Sequence, residues 1–303
     1  LLRAGIAWLS FLAALPGCDI VHVNMASDNS YRRKSVFIKT ARRFRKKIII
    51  HQHGGDFETF YRKEQSEKGR ERIRRVLGMG DAFLVLAPAW KTFFGELIGT
   101  ERITVLPDAI AVPEAYEKSY DNHDVLFLGR LCREKGVGEL LSCVPALAAA
   151  FPDFHLYLGG VWEDEELRRL SLKDKAHVTW LGWVSGEEKQ KWLRRCRVMT
   201  LPSWFEGQSV SLLEAMANYC GIVAADTGGI PLMIQPQETG LLVPVKDAAA
   251  LELGLERLLR EEELCRRLGM AARKKVEDKF GLEENMRTLL DIYEKVLGGW
   301  KKS

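Results

Sequence analysis

Glu206 and Glu214 stand with seven residues between them in VMTLPSWFEGQSVSLLEAMANYCGIVAADTGGIP, residues 198–231. Val198–Leu201 and Ile222–Ala225 are short apolar runs of the kind that form buried parallel strands. Between them Val210, Leu213 and Ala217, with Leu212 and Met216, recur at spacings of three and four, the stripe of a helix packed on a sheet. Glu206 therefore lies in a loop before the helix and Glu214 in its second turn. Ser209 or Ser211 can cap the helix, and Ser211 with Glu214 has the capping-box spacing. Gly207 allows a ligand close to the backbone, and the free N–H groups of the first turn favour an anion. One carboxylate outside the helix and one inside it can hold two ends of a ligand with phosphate between them. A nucleotide sugar has that layout: sugar hydroxyls, diphosphate, ribose hydroxyls. The bland alternative is that Glu214 only caps the helix and Glu206 only meets solvent.

Two cations extend the pattern. A strand at Val125–Gly129 runs into Arg130-Leu-Cys-Arg-Glu-Lys135-Gly136 and then a helix, Val137–Ala150. Arg130 can make forked contacts to a diphosphate, and Lys135 adds a point charge beside it. They are otherwise surface cations at a helix start, where the dipole opposes them. That opposition points to an anion between them.

Two histidines, His51 and His53, end another apolar strand that runs into Gly54-Gly55-Asp56. Ligands of open α/β sheets bind beyond the carboxyl ends of strands. The pair is expected to point to opposite faces, leaving one histidine for a ligand and disfavouring a metal pair.

The run SWFEGQSVSLLEAMA, followed by VAADTGGIP and ETGLLVP, closely resembles the donor-binding half of family 4 retaining glycosyltransferases. Glu206 and Glu214 match that family's Glu-seven-residues-Glu signature, and Gly129-Arg130-Leu131 with Lys135-Gly136 match its Gly-Arg-Leu…Lys-Gly motif. The similarity runs from about Asp19 to Leu297. It implies the GT-B fold, an α/β architecture of two Rossmann-like domains facing a cleft. It also implies a donor site made of Arg130, Lys135, Gly207, Gln208, Ser209 and Glu214, with Glu206 holding the sugar and Glu214 the ribose. The family commonly has a His before a Gly at a position contacting the transferred sugar, so His53 is the second catalytic candidate and His51 its alternate. No metal or other cofactor is expected, since the cations and the helix start would neutralise the diphosphate. The loop Gly182-Trp183-Val184-Ser185 borders the nucleotide base in this family, where backbone would read the base. Asp108-Ala109 departs from the Asn-Gly often found there.

The bulk properties agree with two globular domains: 303 residues, 47% hydrophobic. The expected division is an N-terminal acceptor-side domain over 1–110, with 284–303 packing back on it. A linker at 111–123 and a donor-binding domain over 124–283 follow. Six scattered cysteines show no metal-ligand spacing and fit buried, reduced thiols in the cytoplasm. No long uncharged apolar run calls for a transmembrane helix. Charge is uneven, with 20 Lys and Arg against 13 Asp and Glu over residues 1–118, so that half is expected to meet something anionic.

Leu1–Leu15 is apolar except for Arg3 and could pass for a signal peptide. The strand Asp19-Ile-Val-His-Val-Asn begins directly after it, so a helix closing a βαβ unit is the preferred reading. The resemblance then implies that the first domain is incomplete and the chain N-terminally truncated. Residues Arg32–Lys47 hold nine Lys or Arg in sixteen, with Val36, Phe37, Ala41 and Phe44 interleaved as an apolar face. Such a helix suits an anionic membrane surface better than nucleic acid, for which no recognition motif is present. The function implied is retaining transfer of a sugar from a nucleoside-diphosphate sugar to a hydroxyl of a polysaccharide or lipid-linked glycan. A nucleotide-sugar epimerase of the same fold, or a nucleotide-binding remnant without transfer activity, is the alternative.

Overall fold

The computed structural model describes residues 2–54 and 56–298. Gly55 and residues 299–303, the end of the 284–303 segment expected to pack back on the first domain, lie outside the described residues. Two compact units divide the chain, Leu1–Asp108 with Glu283–Ser303, and Ala109–Leu282.

The first unit begins with α1 (Leu2–Ala14), a 3₁₀ turn at Leu15–Gly17 and β1 (Ile20–Ala26), then α2 (Asp28–Arg43) and β2 (Lys47–Gly54). It continues through α3 (Phe57–Lys63), α4 (Glu67–Leu77), β3 (Ala82–Val85), α5 (Pro88–Ile98) and β4 (Ile103–Val105). The strands form one parallel sheet in the order β1-β2-β3-β4. Alternation along each strand sends side chains to both faces, and both are covered. Val23, Ile48, Ile50 and Phe83 pack on one face with Ile38 of α2, Val76 of α4 and Phe94 of α5. Ile49, Leu84 and Leu106 fill the other.

Helix α2 differs from its expected form. It stops at Arg43, so Phe44 is its C-cap and Lys47 already belongs to β2. Its buried residues are Tyr31, Ser35, Ile38 and Ala41. Of the expected apolar face only Ala41 is fully buried; Phe37 packs edge-on against Phe11 of α1, and Val36 and Phe44 are exposed. A helix period of 3.6 from Ile38 reaches Ala41 and Tyr31, and the aliphatic Val36 falls to the side.

The second unit runs β5 (Asp124–Leu128), α6 (Val137–Ala150), β6 (His155–Gly159), α7 (Glu165–Ser171), β7 (Val178–Gly182) and α8 (Gly186–Arg195). Then come β8 (Val198–Leu201), α9 (Val210–Ala217), β9 (Gly221–Ala225), α10 (Ile230–Met233), β10 (Leu241–Val243), α11 (Ala248–Arg260) and α12 (Glu262–Lys279). The parallel sheet has the order β10-β9-β8-β5-β6-β7. Counted within the unit this is 3-2-1-4-5-6 read from β7, the dinucleotide-fold order. Its switch point lies between β5 and β8, where neighbouring connections leave in opposite directions and open a crevice.

Residues 111–123 carry no helix or strand, yet they are fastened to the second unit. The Lys118 ammonium, 5% exposed, donates to the carbonyls of Leu193 (2.8 Å) and Arg194 (3.1 Å), in the last turn of α8. A cation there satisfies carbonyls that the helix leaves open. Tyr120 donates to Tyr219 O, and Arg273 of α12 donates to Pro113 O. The last helix, α13 (Leu282–Val296), returns to the first unit: Ile292 packs with Ile49, Leu84 and Leu106, flanked by Leu289 and Val296.

Candidate functional site

The switch point of the second unit is built from loops following β5, β6 and β8. Gly136 adopts φ 71°, and a Cβ there would stand 2.1 Å from Pro202 O. Only glycine permits that approach, which clamps the turn carrying Lys135 onto the loop that follows β8. Gly228 and Gly229 close the other side, where added Cβ atoms would meet the carbonyls of Glu206 and Gly207 at 1.8 and 1.7 Å. Trp204 N donates to Glu134 O, its indole N–H donates to Glu139 Oε1, and the Lys246 ammonium sits 4.0 Å above its ring. The Ser203–Gln208 loop is thus held from several directions.

Within this frame Lys135 Nζ donates to Glu206 Oε1, which also accepts from Ser203 Oγ at 3.1 Å. The side chains of Lys135 and Glu206 are 19% and 12% exposed, so Glu206 is not a solvated surface group. Burying such a pair costs desolvation on both sides, and losing one partner strands the other. Arg130 is exposed and paired with Glu163 at 2.7 Å. Each of these cations is thus held by a carboxylate.

Ser209 is the N-cap of α9, its Oγ accepting from Leu212 N at 3.3 Å. The Ser211–Glu214 capping box does not form. Ser211 lies inside the helix and donates to Leu128 O, while Glu214 Oε1 accepts from Lys189 Nζ of α8 at 2.5 Å. Glu214, Lys189, Ser211 and Val210 line a pocket of about 240 Å³ with Gly129, Gly160 and Trp183. Gly207 and Gln208 complete the loop ahead of the cap. Lys135 and Glu206 do not line this pocket, whereas Arg130 directly follows its Gly129 wall. Among the described residues no group of three or more His, Cys, Asp or Glu is arranged to hold a metal ion.

Lys189, Glu163 and Trp204 were not singled out in the sequence. Lys189 was missed because α8 buries only Leu193 and so has no apolar stripe. Its signals were Ser185 at the cap position, Glu187 and Glu188 in the first turn, and Arg194 and Arg195 in the last.

His53 belongs to the first unit. Its Nδ1 is 3.0 Å from Asp108 Oδ1 and its Nε2 is 3.2 Å from Asn24 Oδ1. The expectation that His51 and His53 point to opposite faces is overturned: residues two apart in a strand share a face, and the rings lie 3.9 Å apart. His51 is only 7% exposed, with its Nε2 buried and without a partner. Burial, reinforced by His53 and His22, brings His51 down to about 3. Burial and then His53 lower His22 as well, and its Nδ1 is 2.6 Å from Tyr293 OH. His53, at 32% side-chain exposure, is the accessible one of the three.

Residues 122–261 match the family described as Glycosyl transferases group 1. A phosphatidyl-myo-inositol mannosyltransferase of Mycolicibacterium smegmatis is 33% identical over 156 residues, covering 50% of this chain and 40% of that protein. The chain spans less than half, 39–48%, of the curated mannosyltransferases it matches. Sucrose-phosphate synthase from Thermosynechococcus elongatus superposes with a TM-score of 0.78 at 22% identity, covering 96% of this chain and 76% of that one. Anabaena Alr3699/HepE in complex with UDP gives 0.76 at 16% identity, covering 94% and 81%. These likenesses span both units and bear on the fold, while the family match at residues 122–261 falls on the second unit. The chain is an α/β protein of the GT-B fold, and residues 122–261 of its second unit resemble the group 1 glycosyltransferases.

Proposed function

We propose that the chain is a family 4 enzyme that moves a sugar, with retention, from a nucleoside-diphosphate sugar to a hydroxyl of a polysaccharide or lipid-linked glycan. The observation that carries this reading is the pairing of Lys135 with Glu206 and Lys189 with Glu214 beside the switch point of a dinucleotide-type sheet. Each carboxylate is poised beside a cation that a ligand can displace. In this reading the ribose hydroxyls take Glu214 and the sugar takes Glu206. Arg130, Lys135 and the first-turn N–H groups of α9, with Gly207, Gln208 and Ser209 ahead of them, receive the diphosphate. Negative charge grows on that group as its bond to the sugar breaks, and fixed cations lower the barrier electrostatically. On this account no metal ion is required. His53 is assigned to the transferred sugar on the resemblance alone.

The Anabaena protein solved with UDP supports a nucleotide donor, and relatives named as phosphatidyl-myo-inositol mannosyltransferases support a lipid-linked acceptor. A peripheral position at an anionic membrane on the cytoplasmic side fits the first unit. Arg32, Arg33, Arg42 and Arg43 are exposed on α2, with Val36 and Phe44 exposed among them and Ile6 and Leu9 exposed on α1. No helix of the described residues is long and apolar enough to cross a membrane. Incubation with UDP-glucose or GDP-mannose and candidate acceptors tests the activity. Acceptor-dependent release of nucleoside diphosphate is expected. Conversion of one nucleotide sugar into another would identify an epimerase instead.

A further inference from the structure

The parallel strands of the first unit end along one edge of its sheet, and three of them bring polar side chains there. Asn24 lies near the end of β1, His53 near the end of β2 and Asp108 just beyond β4. Ligands of such sheets bind beyond this edge. His53 Nδ1 is 3.0 Å from Asp108 Oδ1, although β3 lies between β2 and β4. Its Nε2 is 3.2 Å from Asn24 Oδ1, and its ring lies against that of the buried His51, with centroids 3.9 Å apart. The imidazole is thus held at both nitrogens and on one face.

Asp108 is itself placed by its neighbours. Leu106 N donates to Val85 O at 2.8 Å, extending the pairing of β3 with β4. Asn285 Nδ2 of α13 donates to Pro107 O at 2.6 Å, and Pro107 has a fixed φ. The Asp108 side chain, 20% exposed, is presented to His53 from this anchored backbone.

The resembled family often has Asn-Gly where this chain has Asp108-Ala109. The difference is chemical. A carboxamide can offer Nδ1 either an N–H or an oxygen, which leaves both imidazole tautomers open. An ionised carboxylate only accepts, so Nδ1 keeps its proton whether the ring is neutral or charged. Nε2 is then the nitrogen whose proton is not fixed. The Asn24 amide facing it can accept from Nε2–H or, turned over, donate to the bare nitrogen. A sugar hydroxyl is donor and acceptor at once, so it can replace that amide in either case.

Resting on the reading of His53 as the group that meets the transferred sugar, we propose that Asp108 is its positioning residue. Asp108 holds the imidazole proton on Nδ1, and Nε2 is the atom that exchanges Asn24 for a hydroxyl of the sugar. The sugar makes this contact and the nucleotide does not.

The test is nitrogen NMR of the intact chain labelled in its histidine rings, with H53Q to assign the His53 signals. At pH 9, where an imidazole is neutral, the parent should show the Nδ1–H tautomer at His53. D108N, which keeps the shape, should populate the Nε2–H tautomer as well. UDP-glucose or GDP-mannose should shift the His53 Nε2 signal of the parent, whereas UDP and GDP should leave it in place. In transfer assays D108N should lower kcat/KM about tenfold, as expected when a hydrogen bond to a charged group is lost, with UDP affinity unchanged. A parent protonated at Nε2, or a D108N tautomer identical to the parent's, would overturn the role of Asp108. A Nε2 signal moved equally by UDP and UDP-glucose would overturn the sugar contact. A parent that binds neither nucleotide sugar would overturn the donor reading and the sugar contact with it, and the tautomers of parent and D108N would still decide whether Asp108 sets the His53 proton.

Discussion

Lys189 Nζ meets Glu214 Oε1 at 2.5 Å, joining α8 to α9 across the mouth of the pocket at the switch point. The pair is partly buried, at 25% and 16% side-chain exposure. Glu214 therefore is neither a cap nor a solvated helix residue. It is a carboxylate held in place by a cation on a mostly solvated helix, and a ligand hydroxyl can take over as its partner.

Glu214→Gln keeps the shape and removes the charge. Hydrogen bonds from ribose to a charged acceptor are worth about 1.5–3 kcal/mol, so nucleotide affinity should fall by roughly ten- to a hundredfold. The lost ion pair should cost the fold less, on the order of 1 kcal/mol. Titration calorimetry and urea unfolding separate the two. Unchanged nucleotide affinity with a large loss of stability would make Glu214 structural.

Replacing Arg130 and Lys135 together with Ala should weaken UDP binding far more than uridine binding. Their assigned partner is the diphosphate, so the nucleoside is the internal control. Competition measurements with both ligands decide it, and equal losses would move these cations out of the phosphate site.

Gly136→Ala tests the clamp. The substitution puts a Cβ against Pro202 O at a positive φ, so backbone must move. A left-handed alanine alone costs roughly 1–2 kcal/mol, and the clash adds to it. The urea midpoint should fall accordingly, with nucleotide binding weakened because Lys135 and Glu206 lose their register. A midpoint matching the parent would show that the clamp is not needed.

The second unit's strands and long helices were legible because Val125–Leu128, Val198–Leu201 and the 210–217 stripe obey simple periodicities. So was the pair Glu206 and Glu214, through spacing. What was not legible was partnership. Lys189 sits on a helix with one buried residue, and its meeting with Glu214 depends on how α8 packs beside α9. The extent of α2 was misread because its basic run continues past the helix into β2, and charge does not mark a boundary. Residues 111–123 read as a linker from composition, since the buried contacts of Lys118 and Tyr120 lie with distant backbone carbonyls.

The histidines give the first unit a pH dependence. His51 and His22 are held below the usual 6.5 in the folded chain. Below pH 6.5 the unfolded chain takes up protons that the folded one refuses, so stability falls as pH drops from 6.5 towards 3 and is flat above 6.5 on their account. Each such group contributes up to about 1.4 kcal/mol per pH unit. Urea unfolding at pH 7 and pH 5 should show the loss, and His51→Gln should reduce it. An identical pH slope in the variant would assign the effect elsewhere.

Binding to anionic vesicles by the intact chain should weaken as salt rises, because exposed charges are screened beyond about 10 Å at 0.1 M. Replacing Arg32, Arg33, Arg42 and Arg43 by Gln should reduce it further in a flotation assay. Binding indifferent to lipid charge and to these residues would remove α2 from the membrane surface.

The central claim is that the second unit is a donor site for a nucleoside-diphosphate sugar, and calorimetric titration of the intact chain with UDP-glucose and GDP-mannose tests it most directly. The account predicts one-to-one binding of at least one of them, lost or strongly weakened both in Glu214→Ala and in the Arg130→Ala, Lys135→Ala double variant. Binding of neither ligand, or binding that both variants leave untouched, would contradict it.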